Sequence, residues 1–229
     1  MKQSAARTLI AGCILVLVGS LLAHWVQTSG GTRIEDVRFT GDNGQTLSAL
    51  LYIPANASAD SPAPGVLAVH GYINSREVQS GFAIELARRG YVVLALDQSG
   101  HGYSDAPAFS NGFGGPAALR YLRSLDIVDP DNIGLEGHSM GGWTVLAAAA
   151  AMPDAYRSMV LQGSSTGSGR ALPGTPDWPR NVSVVFAQYD EFAPLMWEVP
   201  RGSDVADSEK LQAMFGVDDA IQEGRVYGS

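Results

Sequence analysis

Gly137-His138-Ser139-Met140-Gly141, with Gly142 next, fits the spacing G-x-S-x-G. A serine hydroxyl attacks an acyl carbon only when a base takes its proton and nearby donors hold the oxyanion that forms. The spacing suits that task when a strand runs into the serine and a helix leaves it. So sharp a turn raises Oγ above the sheet, and glycines keep neighbouring side chains out of the way. The N-terminus of the following helix also brings backbone N–H groups and a positive dipole end to the reacting centre. The flanks read in that way: Ile133 to Glu136 is a short buried strand, and Met140 to Met152 is an Ala-rich helix stopped by Pro153.

The elements that must position this turn follow from the pattern along the chain. Ile34 to Thr40 and Thr46 to Ile53 are β-like runs around Gly41-Asp42-Asn43-Gly44, a strong turn signal. Gly65 to His70 and Tyr91 to Leu96 are continuous apolar runs, as strands buried on both faces should be. Glu77 to Arg89 reads as a helix with Phe82, Ile84, Leu86 and Ala87 as its apolar residues, closed by Gly90. Pro116 starts a further helix to about Ser124. Ser158 to Leu161 and Val182 to Ala187 read as strands, residues 164–181 as a loop, and Asp204 to Phe215 as a helix. Strands alternating with helices argue for an α/β domain with a mostly parallel sheet and flanking helices.

With these residues in view, the chain resembles the α/β-hydrolase family, in its serine-esterase and dienelactone-hydrolase-like branches. His70-Gly71-Tyr72 looks like the family's oxyanion loop, and Asp97-Gln98-Ser99-Gly100-His101-Gly102-Tyr103-Ser104 looks like its D-x-x-G-H-G-x-S loop. Val128-Asp129-Pro130, Ile133-Gly134 and then Gly137 to Gly142 complete the likeness, which covers about residues 34–195. It implies the α/β-hydrolase fold, a nucleophile at Ser139, an oxyanion hole from the backbone N–H groups of Met140 and Tyr72, and a triad acid at Asp190, with Glu191 the neighbour to test next. It implies a small-molecule acyl substrate and no metal or organic cofactor.

The triad base is missing from this reading. The histidines are His24, His70, His101 and His138. Each matches a non-catalytic position of the family pattern, whose catalytic histidine lies beyond the acid. None of the 39 residues after Asp190 is histidine, and the last residues, Ala220 to Ser229, show no final strand. The expectation is that the last strand and the base belong to a part of the protein beyond these residues.

The chain has 229 residues, 45% apolar and 17% charged, which excludes a disordered, highly charged chain. Its formal net charge of −8 excludes a basic nucleic-acid footprint, so no nucleic-acid partner is expected. A single cysteine, Cys13, rules out an intrachain disulfide and a multi-cysteine metal site.

Leu9 to Val26 carries no Asp, Glu, Lys or Arg, and Lys2 and Arg7 precede it. Eighteen residues of helix span roughly 27 Å, close to the hydrocarbon thickness of a bilayer. The expected organisation is a cytoplasmic segment over 1–8, a single transmembrane anchor over 9–26, a linker over 27–33, and an extracytoplasmic hydrolase domain over 34–229. The cationic residues before the span set that orientation. A cleaved signal peptide is the alternative. Ile10-Ala11-Gly12-Cys13 resembles a bacterial lipobox, but the apolar run follows the cysteine instead of preceding it.

Two function classes follow. One is a membrane-anchored serine hydrolase acting on an ester or related acyl bond, with thioesterase and peptidase as variants on the same scaffold. The other is a non-catalytic hydrolase-like module that binds a ligand at the membrane.

Overall fold

The computed structural model describes residues 2–28, 30–108, 111–164 and 181–185. The strands are β1 (Arg33–Thr40), β2 (Thr46–Ile53), β3 (Ala63–Val69), β4 (Val92–Leu96), β5 (Val128–His138), β6 (Ser158–Gln162) and β7 (Val182–Val185). The α-helices are α1 (Lys2–Thr28), α2 (Ser80–Arg88), α3 (Gly115–Arg123) and α4 (Met140–Ala151).

The strands form one sheet in the order β1-β2-β4-β3-β5-β6-β7. β1 and β2 form an antiparallel hairpin, and β2 runs antiparallel to β4. From β4 to β7 every pairing is parallel. Leu67 lies beside Leu94 and Leu135 in register, and Ala68 beside Ala95 and Glu136. Alternate residues point to opposite faces, so each strand feeds two cores. Leu67, Val69, Leu94, Leu96 and Leu161 pack with α3 and α4 through Leu119, Leu122, Val145 and Ala149. Val66, Ala68, Val93 and Ala95 pack on the other face with Ala83 and Ala87 of α2. The α/β class and the mixed, mostly parallel sheet are as expected.

Several boundaries differ from the expected ones. β5 begins at Val128 because Val128 and Asp129 pair with Ala63 and Pro64; the ladder then resumes at Ile133 opposite Gly65. Asp129-Pro130-Asp131-Asn132 gives no local strand signal, and only the pairing partner makes it one. The helix expected over 77–89 is a 3₁₀ turn over Arg76–Gln79 followed by α2. Of its apolar residues, Phe82 is exposed, while Ile84 and Leu86 are partly buried against the sheet. The sheet takes Ala83 and Ala87, whose small side chains let α2 approach closely. The strand expected to reach Ala187 is described to Val185, and the helix expected over Asp204–Phe215 lies outside the described residues.

α1 extends past the expected 9–26 span at both ends, so the linker is shorter than 27–33. Its described side chains from 5 to 27 are all exposed. Over Ala5–Thr28 it is long and apolar enough to cross a membrane, a test a signal sequence also passes.

Candidate active site

At the end of β5 the chain turns at Ser139 with φ 51° and ψ −118°, a strained conformation for a residue with a side chain. The Ser139 N–H donates to Gln162 O at 2.8 Å, and the Gly142 N–H donates to Ser139 O at 2.9 Å. The motif glycines are explained by space. A Cβ on Gly137 would meet the backbone of Gly141, one on Gly141 would meet the carbonyl oxygens of Val69 and His70, and one on Gly142 would meet Ser164 Oγ. The turn is therefore wedged between the ends of β3 and β6.

The segment expected as the oxyanion loop lies directly against it. A Cβ on Gly71 would stand 2.9 Å from His138 Nδ1 and 3.2 Å from Ser139 Cβ. Tyr72 follows, its ring edge-on to His101 with centroids 5.9 Å apart. Met140 is buried and opens α4, so its N–H is one of the four that a helix N-terminus leaves without an intrahelical acceptor. The structure thus brings Ser139, Met140 and the Gly71-Tyr72 loop to the carboxyl end of the parallel strands. Asp190 and Glu191 lie outside the described residues. Among the described residues no three His, Cys, Asp or Glu side chains cluster to hold a metal ion.

His70 is fully buried, and burial pushes its pKa below the usual histidine value, against the pull of its bond to Gly71. Its Nδ1 lies 2.7 Å from Gly71 O, and its Nε2 accepts the Gln98 N–H at 3.2 Å. Both ring nitrogens are thus engaged in holding the loop. Gln98 Nε2 donates to His70 O at 2.6 Å, and Gln98 Oε1 accepts Thr144 Oγ1–H at 2.5 Å. This chain of bonds ties the loop to the first turn of α4. His101 Nδ1 lies 3.2 Å from Ser99 O, and His138 is exposed beside Gly71.

A second network holds the same loop from behind. Asp97 Oδ1 accepts the Arg76 N–H at 2.8 Å, and Oδ2 accepts the Tyr103 N–H at 3.0 Å. Arg76 forks onto Asp36 at 3.0 and 2.8 Å and also donates to Ser48 Oγ at 2.6 Å. Its guanidinium lies 4.9 Å from the Tyr103 ring centroid. The hydrogen bond from Arg76 holds the Asp36 carboxyl below its usual pKa. The sequence presents Asp97 and Gln98 within the D-x-x-G-H-G-x-S loop, and no motif includes Arg76 or Thr144. Nothing local marks these two: Arg76 stands seven residues beyond the end of β3, and Thr144 lies inside an apolar helix.

Glu136 immediately precedes the motif and is 6% exposed. Neither carboxyl oxygen has a hydrogen-bond partner among the described residues. Burial raises its pKa to about 8, against a weaker pull from the backbone of Val69.

Comparison with known proteins agrees with this geometry. The family model described as alpha/beta hydrolase fold matches residues 64–198. The esterase YjfP of Escherichia coli (strain K12) is 28% identical over 190 residues, which is 71% of this chain and 71% of that protein. The quorum-quenching protein AidA of Acinetobacter baumannii (strain MDR-ZJ06) is 34% identical over 122 residues, covering 50% of this chain and 39% of that protein. A crystal structure of a hypothetical protein from Pseudomonas aeruginosa superposes with a TM-score of 0.53 at 28% identity, over 59% of this chain and 44% of that one. A bacterial heroin esterase shares the fold, with a TM-score of 0.51 at 22% identity, over 67% of this chain and 50% of that one. This chain therefore spans half or less of those two solved structures.

Proposed function

We propose that this chain, which belongs to the α/β-hydrolase family, is a serine hydrolase that cleaves an ester or related acyl bond through an acyl-Ser139 intermediate. The observation that carries the reading is the strained Ser139 turn packed against Gly71, with the Met140 N–H at the head of α4. The esterase relative supports hydrolase chemistry of this kind.

In this reading Ser139 Oγ attacks the acyl carbon and gives up its proton to a general base. The N–H groups of Tyr72 and Met140 hold the oxyanion, an interaction that strengthens only as charge develops. The C–O bond to the alcohol breaks as the alcohol takes a proton, and water then releases the acid from Ser139. Asp190 is assigned the carboxylate that orients the base. His70 is not that base, since its ring is committed to Gly71 and Gln98.

The test is labelling by a fluorophosphonate, which bonds to an activated serine, alongside turnover of p-nitrophenyl esters, thioesters and aminoacyl amides. Labelling at Ser139, abolished in Ser139→Ala, is the expected result. The full-length protein is used, and if it turns over none of the substrates and takes no label it is a hydrolase-like binding module instead.

A further inference from the structure

The end of the sheet at which α1 joins the domain has a functional consequence. β1 opens with Arg33 opposite Ile53. β2 runs antiparallel to β4, with Tyr52 opposite Val93 near the start of β4 and Ala49 opposite Leu96 at its end. The chain therefore enters the domain at the amino end of the parallel strands. Ser139 stands at their carboxyl end, six residues beyond Ile133 on β5. Six extended residues rise roughly 20 Å.

The connection between α1 and β1 has little slack. From Thr28 to Arg33 is five residues, at most about 17 Å when fully extended. Thr32 is buried, and a Cβ on Gly31 would press on Ala55 in the β2–β3 loop. α2 returns from the carboxyl end of β3 to the amino end of β4, so its last residue lies at the same edge. That residue, Arg88, donates from Nη2 to Val26 O near the end of α1 at 2.5 Å. Exposed Tyr72, Ile73 and Trp143 lie at the opposite, Ser139 end.

We propose that, with α1 in a bilayer, the domain stands on the membrane by the amino edge of its strands and opens the Ser139 site to the aqueous side. The ester it hydrolyses then arrives from water, and Tyr72, Ile73 and Trp143 meet its apolar part instead of lipid. The statement about the ester rests on the serine-hydrolase reading; the orientation does not.

The test uses the full-length protein with Cys13→Ser, reconstituted in phosphatidylcholine vesicles containing a nitroxide-labelled lipid. A fluorophore is placed on Asp60→Cys, in the β2–β3 loop at the amino edge, or on Tyr103→Cys, in the loop after β4. The Asp60 label is expected to be quenched several-fold more than the Tyr103 label, equally so in a Ser139→Ala background. Equal or stronger quenching at Tyr103 overturns the proposal and places the apolar rim on lipid. Absence of quenching at both positions overturns it too, because α1 then does not hold the domain at the bilayer. In vesicles of the same composition holding the unlabelled Cys13→Ser protein, a soluble p-nitrophenyl ester is expected to be cleaved and the phospholipid left intact; preferential phospholipid cleavage overturns the statement about the ester. Failure to cleave either counts against the Ser139 chemistry while the quenching pattern still decides the orientation.

Discussion

Asp97 grips Arg76 twice, accepting its backbone N–H at 2.8 Å on Oδ1 and lying 3.5 Å from its guanidinium Nε through Oδ2. Both side chains are buried, with Arg76 4% exposed and Asp97 0%. Removing one member of such a pair leaves a buried charge without its counter-ion, which costs ~3–5 kcal/mol. Arg76→Ala is therefore expected to lower stability by about that amount, read by denaturant titration. Asp97→Asn keeps the shape and loosens the Tyr72 loop. With the oxyanion role proposed for the Tyr72 N–H, its expected signature is a fall in kcat with KM little changed, since such a contact is made only as the reaction proceeds.

The backbone strain at Ser139 separates activity from stability. Ala keeps a Cβ in the unfavourable conformation at φ 51°, whereas Gly does not. Ser139→Ala and Ser139→Gly should both lose turnover. The Gly variant should be the more stable of the two, by about 1 kcal/mol in thermal or chemical unfolding.

Glycines in similar-looking positions should respond in opposite ways. Gly141→Ala drives a methyl group into the carbonyls of Val69 and His70, neither of which can turn aside within its strand end. A loss of about 3 kcal/mol, or failure to fold, is expected. Gly81 in α2 has nothing within 4 Å of an added Cβ. Gly81→Ala should stabilise by about 0.5 kcal/mol through helix propensity alone. Matched unfolding curves check both.

Glu136 should make stability pH-dependent. Burial pushes its carboxyl up to about 8 when folded, against the ordinary glutamate value of 4.5 when unfolded. Below 4.5 both states hold the proton and no penalty arises. As pH rises towards 8 the folded state keeps a proton that the unfolded state has released, so stability falls, by about 3 kcal/mol at pH 7. Above 8 the loss levels off. Glu136→Gln should flatten that slope, as measured by urea unfolding at pH 5, 7 and 9.

The Ser139 turn was legible in the sequence because the elements on either side of it are local. A strand, a serine and a helix start follow one another directly in the chain, although only the Gly137 clash is local, Gly141 and Gly142 making room for Val69, His70 and Ser164. The buried strands were legible for a related reason: a continuous apolar run needs no partner to be recognised. Which face of α2 meets the sheet was not legible, because four apolar residues in a short helix do not choose between two faces. That was decided by how closely α2 must approach Val93 and Ala95.

What only the tertiary structure decided lies between residues far apart in the chain. Thr144 meets Gln98 across 46 positions, and Arg76 meets Asp36 across 40. No spacing rule links such pairs, because the order of the strands in the sheet sets their distance. The isolation of Glu136 is of the same kind. Strand alternation says which face a side chain takes, but whether a donor waits there depends on every element packed against that face. Sequence alone determined that a serine stands at the mouth of an α/β sheet and that an apolar helix precedes the domain. The fold determined that they lie at opposite ends of it, because an antiparallel β2 carries the chain's entry point to the edge that the parallel strands leave behind.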